Sequence, residues 1–396
     1  MYFTLACLAF VVFTYSLISD RIERLSLSGP IVFVALGVAL GPLGLEWFSP
    51  TGEAFNGKAI IDITLALFLF VDAANANLGV LRGSWRLPGR MLLLGLPGSI
   101  FIGGACAVLL FPTLSLYEAA ILGTILAATD AALGKAVVTN QSVPSHLRES
   151  LSAESGLNDG LCVPVLLFFI ALEQGAATRG EGLALELLSE EIGIGVLVGA
   201  VLSLIAARAV LMARAAGWLG PIWQRMSVPA LALLIFAVAQ ALHGSGYIAA
   251  FVGGLCFRGA MKQDVHSMLL PAESAAELLA MFAWMTFGMM LVPAALPFIG
   301  WAEVLYAVLS LTVIRMLPIM LSLSGTREPL SSRAFLAWFG PRGLASLAFA
   351  TIVWSEQLPA SGTLMAVTIV TVGISLVVHG VTARPFARRL AASYTE

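Results

Sequence analysis

The chain has 396 residues, 59% of them in the apolar and aromatic set and only 11% charged, whereas a soluble domain carries roughly 25% charged residues. With a mean hydropathy of +0.95, this composition excludes a soluble enzyme on a single anchor and leaves membrane helices joined by short connections. A net charge of −2 offers nothing to nucleic acid. The cysteines Cys7, Cys106, Cys162 and Cys256 lie in apolar runs without CxxC spacing, which reads as buried thiols rather than a disulfide framework or metal site.

Apolar runs set against loop signals predict an all-α polytopic membrane protein with thirteen spans, near 2–18, 30–48, 59–80, 91–112, 115–138, 147–172, 190–213, 226–242, 246–258, 273–295, 298–323, 331–355 and 362–382. The first run lacks a basic leader and a small-residue cleavage site, so it is read as a span and not a signal peptide. The Gly/Glu-rich stretch 173–189 is the longest predicted connection. It divides the chain into 1–172 (spans one to six), a connector 173–225 holding the seventh, and 226–396, which ends in a short tail. With so short a tail, any regulation is expected to reside in the spans.

Basic residues test the count, because Lys and Arg concentrate in cytoplasmic loops. Sixteen of the twenty-one Lys and Arg, among them Arg82, Lys262 and Arg384, fall on one side, and only Lys58 and Arg179 on the other. The N-terminus is therefore expected outside and the C-terminus in the cytoplasm, in an inner or plasma membrane. Two six-span halves that start on opposite sides form an inverted repeat, a common transporter plan. The corresponding fifth and twelfth spans are both interrupted, at Thr129-Asp130 and at Gly340-Pro341-Arg342-Gly343.

A charge at mid-membrane costs about 2.5–3.5 kcal/mol on insertion scales, so each one needs a reason. The mid-span set is Asp72, Asp130, Glu154, Asp159, Arg315 and Arg342, with Asp62, Glu118, Glu277 and Glu303 nearer span ends. Four acids against two bases leave carboxylates that must take up protons or cations. Ser155 and Asp159, four apart, share a helix face with Asn158 beside them. A helix broken at Thr129-Asp130 frees backbone carbonyls, and carbonyl, hydroxyl and carboxylate oxygens suit a hard cation. His146, His243, His266 and His379 fall in loops or at span ends, which disfavours a transition metal.

The segments ATDAALGKAVV (127–138), ESGLNDG (154–160) and FGPRGLAS (339–346) resemble the signatures of the monovalent cation:proton antiporter-1 family of sodium/proton exchangers. The resemblance implies two inverted six-helix bundles with crossed discontinuous helices, acting as a homodimer. It implies that Asp159 binds cation or proton in turn, that Thr129, Asp130, Ser155 and Asp72 complete a Na+ shell, and that Asn158 ties the sixth span to the fifth. It further implies a buried Glu154–Arg342 pair and a core role for Arg315. Two departures stand out: Ala131 replaces the family's usual proline, and Asp72 stands where a glutamate is common.

The expected activity is secondary antiport of Na+ or Li+ against H+, electroneutral, with no cofactor and no enzymatic chemistry. Cation and proton compete for one carboxylate, and that competition is the coupling. The alternative within the same fold is K+/H+ exchange. An intramembrane aspartic protease would need a GxGD motif, and Asp159 sits in GLND. An organic-anion carrier would want a positive site, which the acids around Asp159 oppose.

Overall fold

The structure, a computed structural model, describes residues 2–24, 29–46, 57–75, 85–130, 133–138, 140–178, 181–261 and 265–392. Arg82, Ala131, Arg179 and Lys262 lie outside the described residues. Among the described residues every regular element is a helix. Seven helices are long and apolar enough to cross a membrane, and five shorter apolar helices accompany them.

In chain order the helices are α1 (Tyr2–Arg24), α2 (Gly29–Leu40), α3 (Gly57–Asn75), α4 (Arg86–Leu110), α5 (Leu116–Ile125), the short α6 (Lys135–Val138), α7 (Ser145–Thr178) and α8 (Glu181–Ala215). After these come α9 (Pro221–Ala241), α10 (Gly246–Met261), α11 (His266–Thr286), α12 (Trp301–Leu311), α13 (Val313–Ser322), α14 (Leu330–Trp338), α15 (Leu344–Ser355) and α16 (Ser361–Ala392). The fifth predicted span is α5, a break and α6; the twelfth is α14, a break and α15. The eleventh is also divided, at Thr312 between α12 and α13.

Two expectations are corrected here. The predicted connection 173–189 is almost wholly helical, since α7 runs on to Thr178 and α8 begins at Glu181. Its Glu, Ala and Leu residues are strong helix formers, so both helices continue past the apolar run. The cysteines are not uniformly buried: Cys162 is, but Cys106 and Cys256 are partly exposed, as thiols on the outward face of an apolar helix can be.

The contacts divide the chain into two units, each drawing on residues from both sides of the 173–225 segment. The first is Met1–Ile61, Arg86–Ser155 and Leu279–Glu396. Small residues let its backbones touch, the usual device where lipid removes the hydrophobic drive for helix association. A Cβ on Gly37 would strike the Met285 carbonyl, and one on Gly288 the Val34 carbonyl, so α2 lies backbone to backbone against the end of α11 and the segment that follows it. Tyr306 on α12 donates to the Gly103 carbonyl of α4 at 2.9 Å. Buried Glu118 closes a capping box with Ser115 and accepts from Ala360 N at 2.8 Å, tying the start of α5 to the turn before α16.

The second unit is Asp62–Trp85 and Gly156–Leu278. Here α8 packs along α10 and α9. Ser203 donates to the Gly253 carbonyl at 2.7 Å, and Tyr247 donates to Asp62 at 2.8 Å. A Cβ on Gly254 would overlap the Phe70 carbonyl, so α3 meets α10 with nothing between the backbones.

Candidate functional site

In the first unit the two broken helices meet at their breaks. An interrupted helix leaves carbonyls unbonded at one end and N–H groups at the other, and each break supplies the other's partners. Asp130 N donates to the Pro341 carbonyl at 2.8 Å. Leu344 N, at the start of α15, donates to Asp130 Oδ2 at 2.9 Å, and Leu133 N donates to Oδ1 at 3.2 Å. In return Arg342 Nη1 donates to the carbonyls of Ala127 and Ala128, at 3.3 and 3.2 Å, beyond the end of α5. Ser346 Oγ donates to the Ile125 carbonyl at 2.9 Å. An anion thus sits at a helix N-terminus and a cation at a helix C-terminus, the favourable sign at both.

The glycines of the GPRG segment are required by this closeness. A Cβ at Gly343 would overlap the Asp130 carboxylate, and one at Gly340 the Arg315 guanidinium.

The implied Glu154–Arg342 pair is corrected. The Glu154 carboxylate is bound by Arg315, Nη1 to Oε1 at 2.7 Å and Nη2 to Oε2 at 3.1 Å, while Arg342 Nη1 turns to backbone carbonyls. Arg315, on α13, presents a two-pronged fork that fits a carboxylate, and both partners are fully buried. One turn of α7 also carries Ser155, whose Oγ donates to the Thr129 carbonyl at 2.7 Å. Its Oγ also accepts from Thr129 Oγ1 at 3.4 Å, which leaves one lone pair for another partner. Of the six mid-span charges, this unit holds Asp130, Glu154, Arg315 and Arg342, two of each sign.

The two remaining mid-span charges, Asp72 and Asp159, are both in the second unit, so the carboxylate excess counted in the sequence falls there. A Cβ on Gly156 would lie 3.4 Å from the Asp72 Cβ, so α3 brings Asp72 against α7 three residues before Asp159. Asp159 is 8% exposed, and Asn158 is fully buried. The Cys162 thiol donates to Asn158 Oδ1 at 3.2 Å. Pro164 inside α7 withdraws the N–H that would have bonded the Gly160 carbonyl, which frees an oxygen next in sequence to Asp159. Pro164 was a legible signal that the motif reading passed over.

The structure also corrects the reading of His379 as a loop or span-end residue. It is buried inside α16, 3% exposed, with Nε2 3.1 Å from the Trp338 carbonyl and Nδ1 near Ser375. Among the described residues no group of three His, Cys, Asp or Glu side chains could hold a metal ion.

The comparisons agree with this architecture. The fold matches the sodium proton antiporter MjNhaP1 of Methanocaldococcus jannaschii with a TM-score of 0.79 at 20% identity, covering 98% of this chain and 99% of that one. The chain is 24% identical to the K(+)/H(+) antiporter NhaP2 of Shewanella oneidensis over 94% of its own length and 64% of the relative's. Over 42% of the chain it is 30% identical to a Na(+)/H(+) antiporter of Saccharomyces cerevisiae, a match to 18% of that protein. The chain thus spans less than two thirds of the length of these two sequence relatives, from Shewanella and Saccharomyces. A family described as sodium/hydrogen exchanger, transmembrane, matches residues 8–389. Its apolar helices and this match make it a multi-pass integral membrane protein. By a match that runs through both breaks, the buried pair and the Asn158-Asp159 segment, the chain belongs to the sodium/hydrogen exchanger family.

Proposed function

We propose that this protein is a secondary active antiporter that exchanges Na+ or Li+ for H+, with Asp159 as the carboxylate for which cation and proton compete. The observation that carries the reading is that two mid-span acids, Asp159 and Asp72, are brought to the same stretch of α7. A desolvated carboxylate must bind a proton or a cation to remain inside the membrane. If only a loaded site can change sides, downhill movement of one ion drives the other uphill.

The proposed cation shell comprises Asp159, Asp72, Ser155, the Thr129 carbonyl and Asp130, with Asn158 in support. Asp130 already accepts two backbone N–H groups, so its proposed part is chiefly to fix the break. With Asp130 so engaged, and with Asn158 rather than a second aspartate beside Asp159, the exchange is electroneutral, one proton for one cation. The protein works as a homodimer in an inner or plasma membrane, with its N-terminus outside.

A second reading, K+/H+ exchange, is favoured by bacterial relatives that match nearly the whole of this chain and are named K(+)/H(+) antiporters. The same oxygens serve both ions, and selectivity lies in cavity size and ligand number. The test is dequenching of a pH-sensitive dye in everted vesicles after additions of Na+, Li+ and K+ between about pH 6 and 9. A response to Na+ and Li+ that disappears in Asp159→Asn supports the first reading. A response to K+ alone moves the protein to the second, and Asp159→Asn exchanging at the wild-type rate refutes the site.

A further inference from the structure

Two side chains of α16 reach backbone groups on either side of the break between α14 and α15. On the near side, the Trp338 carbonyl, which closes α14 and accepts from Gly340 N at 2.9 Å, faces His379 Nε2 at 3.1 Å with its second lone pair. On the far side, Arg342 N donates to Ser375 Oγ at 2.7 Å. Ser375 and His379 stand four residues apart on α16, and Ser375 Oγ lies 3.1 Å from His379 Nδ1.

Donor and acceptor roles follow from the partners. Both ring nitrogens face a carbonyl, Nε2 that of Trp338 at 3.1 Å and Nδ1 that of Ser375 at 3.0 Å, and a neutral ring has one proton to give; it is assigned to Nε2, because Nδ1 has a second neighbour, the Ser375 hydroxyl, that can donate to it. The Arg342 N–H uses a lone pair of Ser375, whose hydroxyl proton is then free to point at Nδ1. The result is one continuous chain, from Arg342 N–H to the Ser375 hydroxyl to the imidazole to the Trp338 carbonyl. It spans the residues where helical bonding fails. The ring is gripped as well as bonded: the Trp338 ring centroid lies 5.4 Å away and that of Phe339 6.3 Å. Trp338 is itself anchored by a bond from Nε1 to Thr382 Oγ1 at 3.1 Å.

We propose that His379 and Ser375 form a positioning dyad, a side-chain splint that holds the two ends of the broken α14–α15 helix in register and so places Pro341, Arg342 and Leu344 against Asp130 and the end of α5. Neither residue touches the transported ion. Their effect reaches it through the backbone: Pro341 O and Leu344 N are partners of Asp130, and the Arg342 guanidinium reaches the Ala127 and Ala128 carbonyls, just before Thr129. The dyad rests on the antiport reading only for its transport consequence; the splint is a property of the broken helix alone.

The experiment pairs transport with hydrogen exchange on the purified full chain. His379→Phe keeps a ring between Trp338 and Phe339 but removes the two links the imidazole makes, to Ser375 and to the Trp338 carbonyl. The expected result is an apparent KM for the exchanged cation raised about fivefold, the effect of losing one hydrogen bond, with maximal rate within about twofold. Peptides covering 339–346 should exchange about tenfold faster while those of α12 do not change. His379→Gln, which can donate to the carbonyl and accept from Ser375, should restore both readouts. Ser375→Ala should reproduce the loss, and the double variant should be no worse than either single, because both act through one linkage. Wild-type KM and wild-type exchange at 339–346 in His379→Phe would overturn the dyad. So would a fall in maximal rate alone with uniformly faster exchange, the mark of general destabilisation. If His379→Phe does not fold, Ser375→Ala and the exchange of the Arg342 amide decide the matter. Should the wild type transport no cation, the antiport reading fails while the exchange arm still decides the splint.

Discussion

The buried Glu154–Arg315 pair allows a quantitative test of which charges the fold joins. Glu154 is 1% exposed and Arg315 2%, and two charge-assisted hydrogen bonds at 2.7 and 3.1 Å connect them. Removing one member of a buried pair costs about 3–5 kcal/mol, since the other charge stays in place without compensation, whereas replacing both with apolar groups is often neutral. Glu154→Leu and Arg315→Met are each expected to destabilise by about 3 kcal/mol. The double variant Glu154→Leu, Arg315→Met should return to within about 1 kcal/mol of wild type. Thermal unfolding followed by tryptophan fluorescence in detergent, with all four proteins in one cycle, measures the coupling. A parallel cycle of Glu154 with Arg342→Met should show the weaker coupling, because Arg342 Nη1 is spent on the Ala127 and Ala128 carbonyls. Additive effects at 154 and 315, with strong coupling between 154 and 342, would refute the assignment and restore the pairing that the motif implied.

Other consequences follow from single contacts. Gly343→Ala places a methyl group into the Asp130 carboxylate; overpacking of this kind costs about 1–3 kcal/mol. Cation exchange should collapse while the protein still reaches the membrane, and full activity in vesicles would show that the breaks need not touch. Glu118→Gln leaves one acceptor oxygen for two N–H groups, those of Ser115 and Ala360. One donor is then orphaned at a cost of about 1–3 kcal/mol, read as a lower unfolding temperature with the cation KM unchanged.

Much of the fold was legible because a bilayer imposes length and polarity on every span. Apolar runs located the long helices, and the GPRG and Thr129-Asp130 interruptions located both breaks, since a helix in lipid cannot shed hydrogen bonds except where another element replaces them. Local composition misled at 173–189: Gly and Glu looked like a loop, but Glu, Ala and Leu extend helices beyond the membrane as well as within it. His379 was misplaced for a related reason. It sits three residues from the end of the predicted run, and hydropathy alone does not reveal that α16 continues to Ala392.

The candidate site divides along the same line. That Asp159 follows Asn158, and that Ser155 lies one turn before Asp159, comes from helix period alone and needed no tertiary contact. So did the excess of acids over bases among the mid-span residues. Which base takes which acid was decided elsewhere: Glu154 and Arg315 are 161 positions apart, and only the packing of α7 against α13 brings fork to carboxylate. The same holds for Asp130, whose oxygens meet Leu344 N across 214 positions, and for the splint that His379 offers Trp338. Helical periodicity relates a residue to neighbours three and four away. Pairing across hundreds of residues depends on where backbones come close enough to touch, and that is set by glycine contacts and by breaks whose partners no local pattern names.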